Sequence, residues 1–323
     1  MNVLILGGGL VGCETLKQLR IAGIDPVLAD LAPDHTSIES AVGSRCEVER
    51  VDIGDRTQLA AVVKKHQIDS VVNSAAVLTK RADLSPLAAV QTNVGGVANL
   101  LEMLRLGDLR RIVSASSTTV TYSLFDRPLE APIPEDFLMR VVSQHPGSIY
   151  ATTKLMGEML GLAYRDRYSV EAIFLRLGAV IGRWPSGPNS IPSRLFEVFR
   201  LAIDQKTTAV VDDDPLIVWS GIEEFVDVRD AARANVCALL SDRPLQAVYN
   251  IANGEAISID DVIAAFREFH PELSVELRAT ANGALAGFEY RRPAPSDLQM
   301  AQRELGFVPM FTLRDSVKAY LDG

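Results

Sequence analysis

The sequence predicts an α/β protein, a doubly wound parallel sheet with a smaller C-terminal domain. Three observations predict it. Short β-rich apolar runs alternate with longer amphipathic runs through the first half of the chain. The first apolar run stops at a glycine-rich turn, Gly7-Gly8-Gly9-Leu10-Val11-Gly12, which then opens into a helical pattern. With 323 residues, 48% of them hydrophobic, the chain can fill about two domain cores.

The elements follow in order. The run at 3–6 is too short for a signal peptide's apolar region and leads directly into glycine, so it reads as a strand. Further strands are expected at 26–30, 46–51, 70–73, 111–115 and 170–175, with helices at 11–22, 56–65, 84–106 and 150–167. Buried strands separated by helices imply a parallel sheet covered on both faces. Beyond Gly178 the pattern loosens. Residues 183–193 hold Trp184, Pro185, Gly187, Pro188 and Pro192 and read as a loop. Helices are expected at 192–203, 229–240, 258–269 and 296–305, and a strand at 248–252 should return to the main sheet.

Composition removes several function classes. A net charge of −9 with no basic stripe argues against broad nucleic-acid contact. No apolar run approaches the ~20 residues that cross a bilayer. Cys13, Cys46 and Cys237 are scattered without metal-type spacing, so no metal site is expected and a reducing cytoplasm is the simplest compartment.

Gly7-x-Gly9-x-x-Gly12 follows a strand and opens a helix, the context a dinucleotide (Rossmann) fingerprint requires. Gly7, Gly9, Leu10, Val11 and Gly12 are the expected pyrophosphate contacts at a helix N-terminus. Asp30 ends the next strand 23 residues after Gly7, where a carboxylate accepts from the adenosine ribose and repels a 2′-phosphate. NAD is therefore expected over NADP. Residues 1–182 form the expected NAD-binding domain and 183–323 mainly a substrate-binding domain, with 225–252 returning to the first.

Tyr150-x-x-x-Lys154 places a phenol and an ammonium one helical turn apart on one face. A fixed cation favours phenolate, so Lys154 is expected to lower the Tyr150 pKa and make it an acid/base. Taken in order, several further motifs resemble those of the extended short-chain dehydrogenase/reductases, also called the NAD-dependent epimerase/dehydratase family. They are Val51-Asp52-Ile53, Asn73-Ser74-Ala75-Ala76, the run from Thr92-Asn93 to Glu102, Ser116-Ser117-Thr118-Thr119-Val120, Tyr249-Asn250-Ile251-Ala252 and Arg303-Glu304-Leu305-Gly306-Phe307. One departure is Leu6, which stands where that family usually has its first glycine.

The resemblance implies Tyr150 as acid/base, Lys154 as its pKa modifier and ribose anchor, and Ser117 as the hydroxyl orienting substrate. Ser116 and Thr118 are adjacent alternatives for that last role. It further implies cofactor contacts from Asp52, Ile53, Ala75, Asn93 and Gly178, besides Tyr150 and Lys154. Candidate substrate contacts are Thr79, Ser117, Thr118, Trp184 and Trp219, the tryptophans having ordinary packing as their alternative. His145 reads as a surface or lid residue before the catalytic helix.

Family members acting on nucleotide sugars usually carry an Asn where this chain has Ala179 and an Arg where it has Glu223. Glu223 and Glu224 near a diphosphate would repel it; Arg291 and Arg292 are possible late cations. The expected function is NAD-dependent interconversion of a secondary alcohol and a ketone on a small non-nucleotide substrate such as a sugar acid, polyol or amino alcohol. The alternative is a nucleotide-sugar 4-epimerase that retains NAD. A catalytically silent binding protein is a third reading, against which the intact Tyr150–Lys154 pair argues. By resemblance, a homodimer is expected through the helices 84–106 and 150–167.

Overall fold

The computed structural model describes residues 1–124, 132–136, 147–188, 190–211, 222–242, 244–278, 292 and 294–323. The first half alternates as the apolar pattern requires: β1 (Val3–Leu6), α1 (Leu10–Ile21), β2 (Val27–Asp30), α2 (His35–Val42), β3 (Val48–Arg50), α3 (Arg56–Lys65) and β4 (Ser70–Asn73). There follow α4 (Thr79–Leu84), α5 (Pro86–Ala89), α6 (Gly96–Leu106), β5 (Arg111–Ser117), α7 (Ile149–Tyr168), β6 (Glu171–Leu177) and β7 (Ala179–Ile181). The remainder comprises α8 (Ile191–Gln205), β8 (Ala209–Val211), β9 (Ile222–Glu223), β10 (Phe225–Asp227) and α9 (Val228–Leu240). It ends with β11 (Val248–Ile251), β12 (Ile257–Ser258), α10 (Ile259–Arg267), β13 (Val275–Leu277) and α11 (Leu313–Asp322).

Seven strands form one sheet in the order β11-β6-β5-β4-β1-β2-β3, every pair parallel. Strand order reverses at β1, between β4 and β2, and this opens a crevice at the strands' C-terminal ends. Side chains alternate across the sheet. Val3 and Ile5 join a core with Leu16, Leu19 and Leu239, whereas Leu4 and Leu6 join one with Leu59, Leu100 and Phe174 on the other face. A third core gathers Leu195, Phe196, Phe199, Phe225, Phe266 and Tyr320 from the later elements. Its rings meet edge to face, Phe196 and Phe266 at 5.1 Å and 83°. Among the described residues no helix is long and apolar enough to cross a membrane.

Several expected boundaries moved for identifiable reasons. The helix expected at 84–106 is broken at Ser85 (φ −142°), because Pro86 brings no N–H and restarts the helix at its first position. From there α5 runs through a π-helical turn, Val90–Gly95, into α6. The expected helix at 296–305 is helical only from 299 and closes in a π turn, Ala301–Leu305. The expected loop 183–193 ends early, because the Ser190 hydroxyl accepts the Ser193 N–H and caps α8. Three helices were not expected, one of them α4, which starts without a side-chain cap. Asp34 caps α2 through the Ser37 N–H at 3.1 Å, and a Thr312/Asp315 capping box starts α11.

One glycine sets how closely α7 approaches the sheet. A Cβ on Gly161 would fall 2.0 Å from the ring of buried Phe174 on β6. Gly161→Ala should therefore destabilise the fold by about 1–3 kcal/mol through overpacking. Urea unfolding midpoints would measure this, and an unchanged midpoint would contradict it.

Candidate active site

The glycine turn is built for backbone contact. Gly7 has φ +99°, and a Cβ there would lie 2.7 Å from the Ala75 nitrogen. A Cβ on Gly12 would lie 1.9 Å from the Gly7 carbonyl oxygen. These two glycines let β1, α1 and the turn after β4 touch. Gly9 is different: nothing lies within 4 Å of its Cβ position. It caps α1 with no side-chain hydrogen bond, and no acidic residue occupies the first turn, where Leu10 and Val11 are half-buried. A helix N-terminus so left open suits an anion.

Around it stand the other expected cofactor residues. The Asp30 carboxylate is fixed across the turn, accepting the Gly8 N–H at 2.7 Å and the Ala32 N–H at 2.8 Å. Asp52 accepts the Gly54 N–H at 2.8 Å. Ile53 is buried under Gly96, where a Cβ would meet it at 2.8 Å. Ala75 is half-buried, its N–H on the Asn73 side-chain oxygen at 3.2 Å. Beside Gly7, the buried Ser74 hydroxyl oxygen has no partner among the described residues. An open helix N-terminus, an anchored carboxylate and an orphan hydroxyl together fit a dinucleotide.

The residues expected to be catalytic lie where β5 ends and α7 begins. Ser148 caps α7, its hydroxyl accepting the Ala151 N–H at 3.1 Å, which sets Tyr150 in the first turn. The Tyr150 hydroxyl faces Ser117, which holds its pKa down. Ser117 also accepts from the Thr119 N–H at 3.2 Å and its hydroxyl at 3.0 Å. Buried Lys154 donates to the Ala115 carbonyl at 2.6 Å, with its ammonium 5.7 Å from the Tyr150 ring centre. Of the two adjacent hydroxyls, Ser116 donates to Glu158 at 2.5 Å. Thr118 is buried, and its carbonyl accepts the Thr121 hydroxyl at 2.9 Å.

Electrostatics here correct the sequence expectation. The Tyr150 pKa is not lowered by Lys154; burial pushes it up to about 12, opposed by the Ser117 hydrogen bond. Burial also pushes Lys154 down to about 8, opposed by the Glu158 carboxylate. Desolvation is the largest influence on both groups, and it disfavours the charged form of each. At rest the phenol is a proton donor.

The remaining candidates are spread more widely. Asn93 is buried; it accepts the Val77 N–H at 2.8 Å and donates to the Val77 carbonyl and the Thr153 hydroxyl at 3.0 and 2.9 Å. Its amide ties the loop after β4 to α7. Gly178 gives backbone proximity, since a Cβ there would lie 2.9 Å from the Glu224 carbonyl oxygen. Thr79 opens α4, half-buried, and Trp184 packs against the α1 side of the core. Trp219, His145 and Arg291 lie outside the described residues.

The carboxylates thought to repel a diphosphate are engaged in place. Glu224 is fully buried and paired with buried Arg292 at 2.6 Å. It also accepts from the Ser296 N–H and hydroxyl, the latter at 2.7 Å. Glu223 accepts the Glu224 N–H at 2.8 Å. Glu224 and Arg292 therefore largely cancel one another. Sequence reasoning passed over the buried pair Glu158–Arg176, at 2.7 Å. Glu158 was findable, since it continues the four-residue spacing of Tyr150 and Lys154. Among the described residues, no group of three or more His, Cys, Asp or Glu could hold a metal.

A doubly wound sheet with an open dinucleotide turn and a Ser–Tyr–Lys cluster defines an NAD-dependent enzyme of the extended short-chain dehydrogenase/reductase type. Residues 3–252 match the family model of the NAD dependent epimerase/dehydratase family, and the chain belongs to that family. A UDP-glucose 4-epimerase of Yersinia pestis is 30% identical, over 82% of this chain and 82% of that protein. The L-threonine dehydrogenase of Clostridium difficile has the same fold, with a TM-score of 0.83 at 19% identity over 99% of this chain and 96% of that one. So does a UDP-glucose-4-epimerase of Stenotrophomonas maltophila solved with bound NAD, at 0.81 and 24% over 100% and 97%.

Lys154 has a stability signature. Folded, it releases its proton near 8, against 10.5 for a free lysine. Between those values the unfolded chain binds the extra proton, so stability rises with pH across that window. Lys154→Met removes the effect. The wild type should gain on the variant by up to about 3 kcal/mol as pH climbs through the window. Urea titrations of both proteins would check this; a difference independent of pH would contradict it.

Proposed function

We propose that the protein interconverts a secondary alcohol and a ketone on a small substrate that carries no nucleotide diphosphate. The Ser117–Tyr150 hydroxyl pair beside Lys154 carries this reading. When bound, NAD supplies or takes up the hydride. In reduction, Tyr150 gives its proton to the carbonyl oxygen as the carbinol forms; in oxidation it takes that proton back. Ser117 accepts from Thr119 twice, which leaves its own proton for the Tyr150 or substrate oxygen. Lys154 supports the phenolate by charge whenever Tyr150 is deprotonated. The open N-terminus of α1 receives the pyrophosphate and Asp30 the adenosine ribose, which favours NAD over NADP.

A second reading, a UDP-sugar 4-epimerase, is favoured by the relative from Yersinia pestis, which bears that name. Holding a diphosphate takes cations and donors. Ala179 has no side-chain donor, Glu223 is an anion, and Arg292 is directed to Glu224. A lost charge-assisted hydrogen bond costs about 1.5–3 kcal/mol, so the substrate without a diphosphate is preferred.

Exposed apolar side chains on α4 to α7, among them Leu84, Leu87, Met156 and Met159, support a homodimer through these helices. Light scattering at micromolar concentration should give a dimeric mass, and a monomeric mass would remove this part of the reading.

Tyr150→Phe should lower turnover by about 10²-fold or more with NAD affinity nearly intact. Retention of more than about a tenth of the rate would mean another group moves the proton. Calorimetry with UDP-sugars should show no saturation in the millimolar range. Tight UDP-sugar binding would transfer the assignment to the epimerase.

A further inference from the structure

We propose that Glu158 is a positioning residue for this reaction: one turn beyond Lys154 on α7, its buried carboxylate holds the lysine cationic and the end of β5 in place. The inference rests on the reading that Tyr150 and Lys154 form the reacting site.

The geometry is specific. Tyr150, Lys154 and Glu158 recur every four residues and so share one face of α7. Each meets a consecutive residue of β5: Tyr150 meets Ser117, Lys154 the Ala115 carbonyl and Glu158 the Ser116 hydroxyl. Glu158 has no exposed surface. A carboxylate so placed needs a cation, and Arg176 on β6 supplies one bidentately, at 2.9 and 2.7 Å. Arg176 also donates to the Glu135 carbonyl at 2.8 Å, while the Glu135 carboxylate accepts the Asn250 N–H at 2.9 Å. The cluster thereby joins α7, β5, β6, β11 and the segment 132–136.

Charge balance gives Glu158 its second task. Arg176 and a protonated Lys154 both lie buried near it. Without the carboxylate, two cations would face each other out of water, and the lysine is the one able to shed its proton. The charged and titratable groups facing the cluster are Tyr150 on α7, Arg176 on β6, and Glu135 and Asp136 on 132–136, with Asp297 acting on Glu135. On the remaining sides the small cavity beside Lys154 is lined by neutral Asn73, Asn93, Ser114 and Thr153. Neutralising Glu158 therefore shifts Lys154 downward, the direction opposite to the effect of the carboxylate now.

The test compares wild type, Glu158→Gln and Glu158→Asp between pH 6 and pH 9, each also with Lys154→Met. Turnover and NAD affinity by calorimetry are both read. For each unit that the lysine shifts, the Gln-to-wild-type ratio in turnover should fall about tenfold from the acidic to the basic end. NAD affinity should show the same trend, and Asp, which keeps the charge, should restore most of the profile. In the Lys154→Met background the pH-dependent part should vanish. A flat ratio for Gln, or a profile for Asp as altered as that for Gln, would overturn the proposal. If Gln fails to fold, Asp alone decides: a wild-type profile supports the charge role, and a shifted one overturns it. If Lys154→Met changes neither turnover nor NAD affinity, the underlying reading of the site has failed instead.

Discussion

The packing of α7 across the ends of β5 and β6 is the constraint on which the site depends. Helix and strand do not merely touch there. Gly161 admits the Phe174 ring to the helix backbone, and a side chain would close that gap. With the helix this close, Lys154 and Glu158 bond to β5 and Tyr150 faces Ser117 at its end. The same strand is paired to β6 over seven residues, from Arg111 opposite Glu171 to Ser117 opposite Leu177. Displacing α7 by a methyl group would therefore be felt at Tyr150, Lys154 and Ser117 together. The dinucleotide turn relies on a similar device, in which Gly7 and Gly12 bring β1, α1 and the turn after β4 to contact distance.

Burial sets the proton chemistry. Taking a phenol and an ammonium out of water raises one pKa and lowers the other, so each is held in its neutral form more readily than in solvent. The resting site is thus poised to donate a proton. Two groups work against that tendency, Ser117 on the phenol and Glu158 on the ammonium. The buried Glu224–Arg292 pair shows a different solution, in which a carboxylate and a guanidinium out of water are placed 2.6 Å apart.

Much of this was legible in the sequence. The strand and helix alternation set the sheet, because β1, β4, β5 and β6 are buried enough to read as apolar runs whatever their partners. The glycine turn and the Tyr150–Lys154 spacing were equally direct. What stayed hidden was what depends on contacts distant in sequence. Helix α2 is short, with only Ile38, Ala41 and Val42 apolar, and the break at Pro86 was masked by helix-compatible residues on both sides. The ambiguity among Ser116, Ser117 and Thr118 could not be lifted without knowing which faces Tyr150. The direction of the Tyr150 pKa was misjudged for the same reason, since spacing reports the neighbour and burial reports the medium.

On the reading proposed above, the Ser117–Tyr150–Lys154 cluster oxidises a free small alcohol and lets the reduced cofactor leave. Purified protein mixed with NAD and a panel of secondary alcohols, followed by NADH absorbance, tests it most directly. The account predicts NADH accumulating in solution beyond one equivalent per site with at least one simple alcohol. Absorbance that never exceeds the bound cofactor, alongside epimerisation of a UDP-sugar, would contradict it.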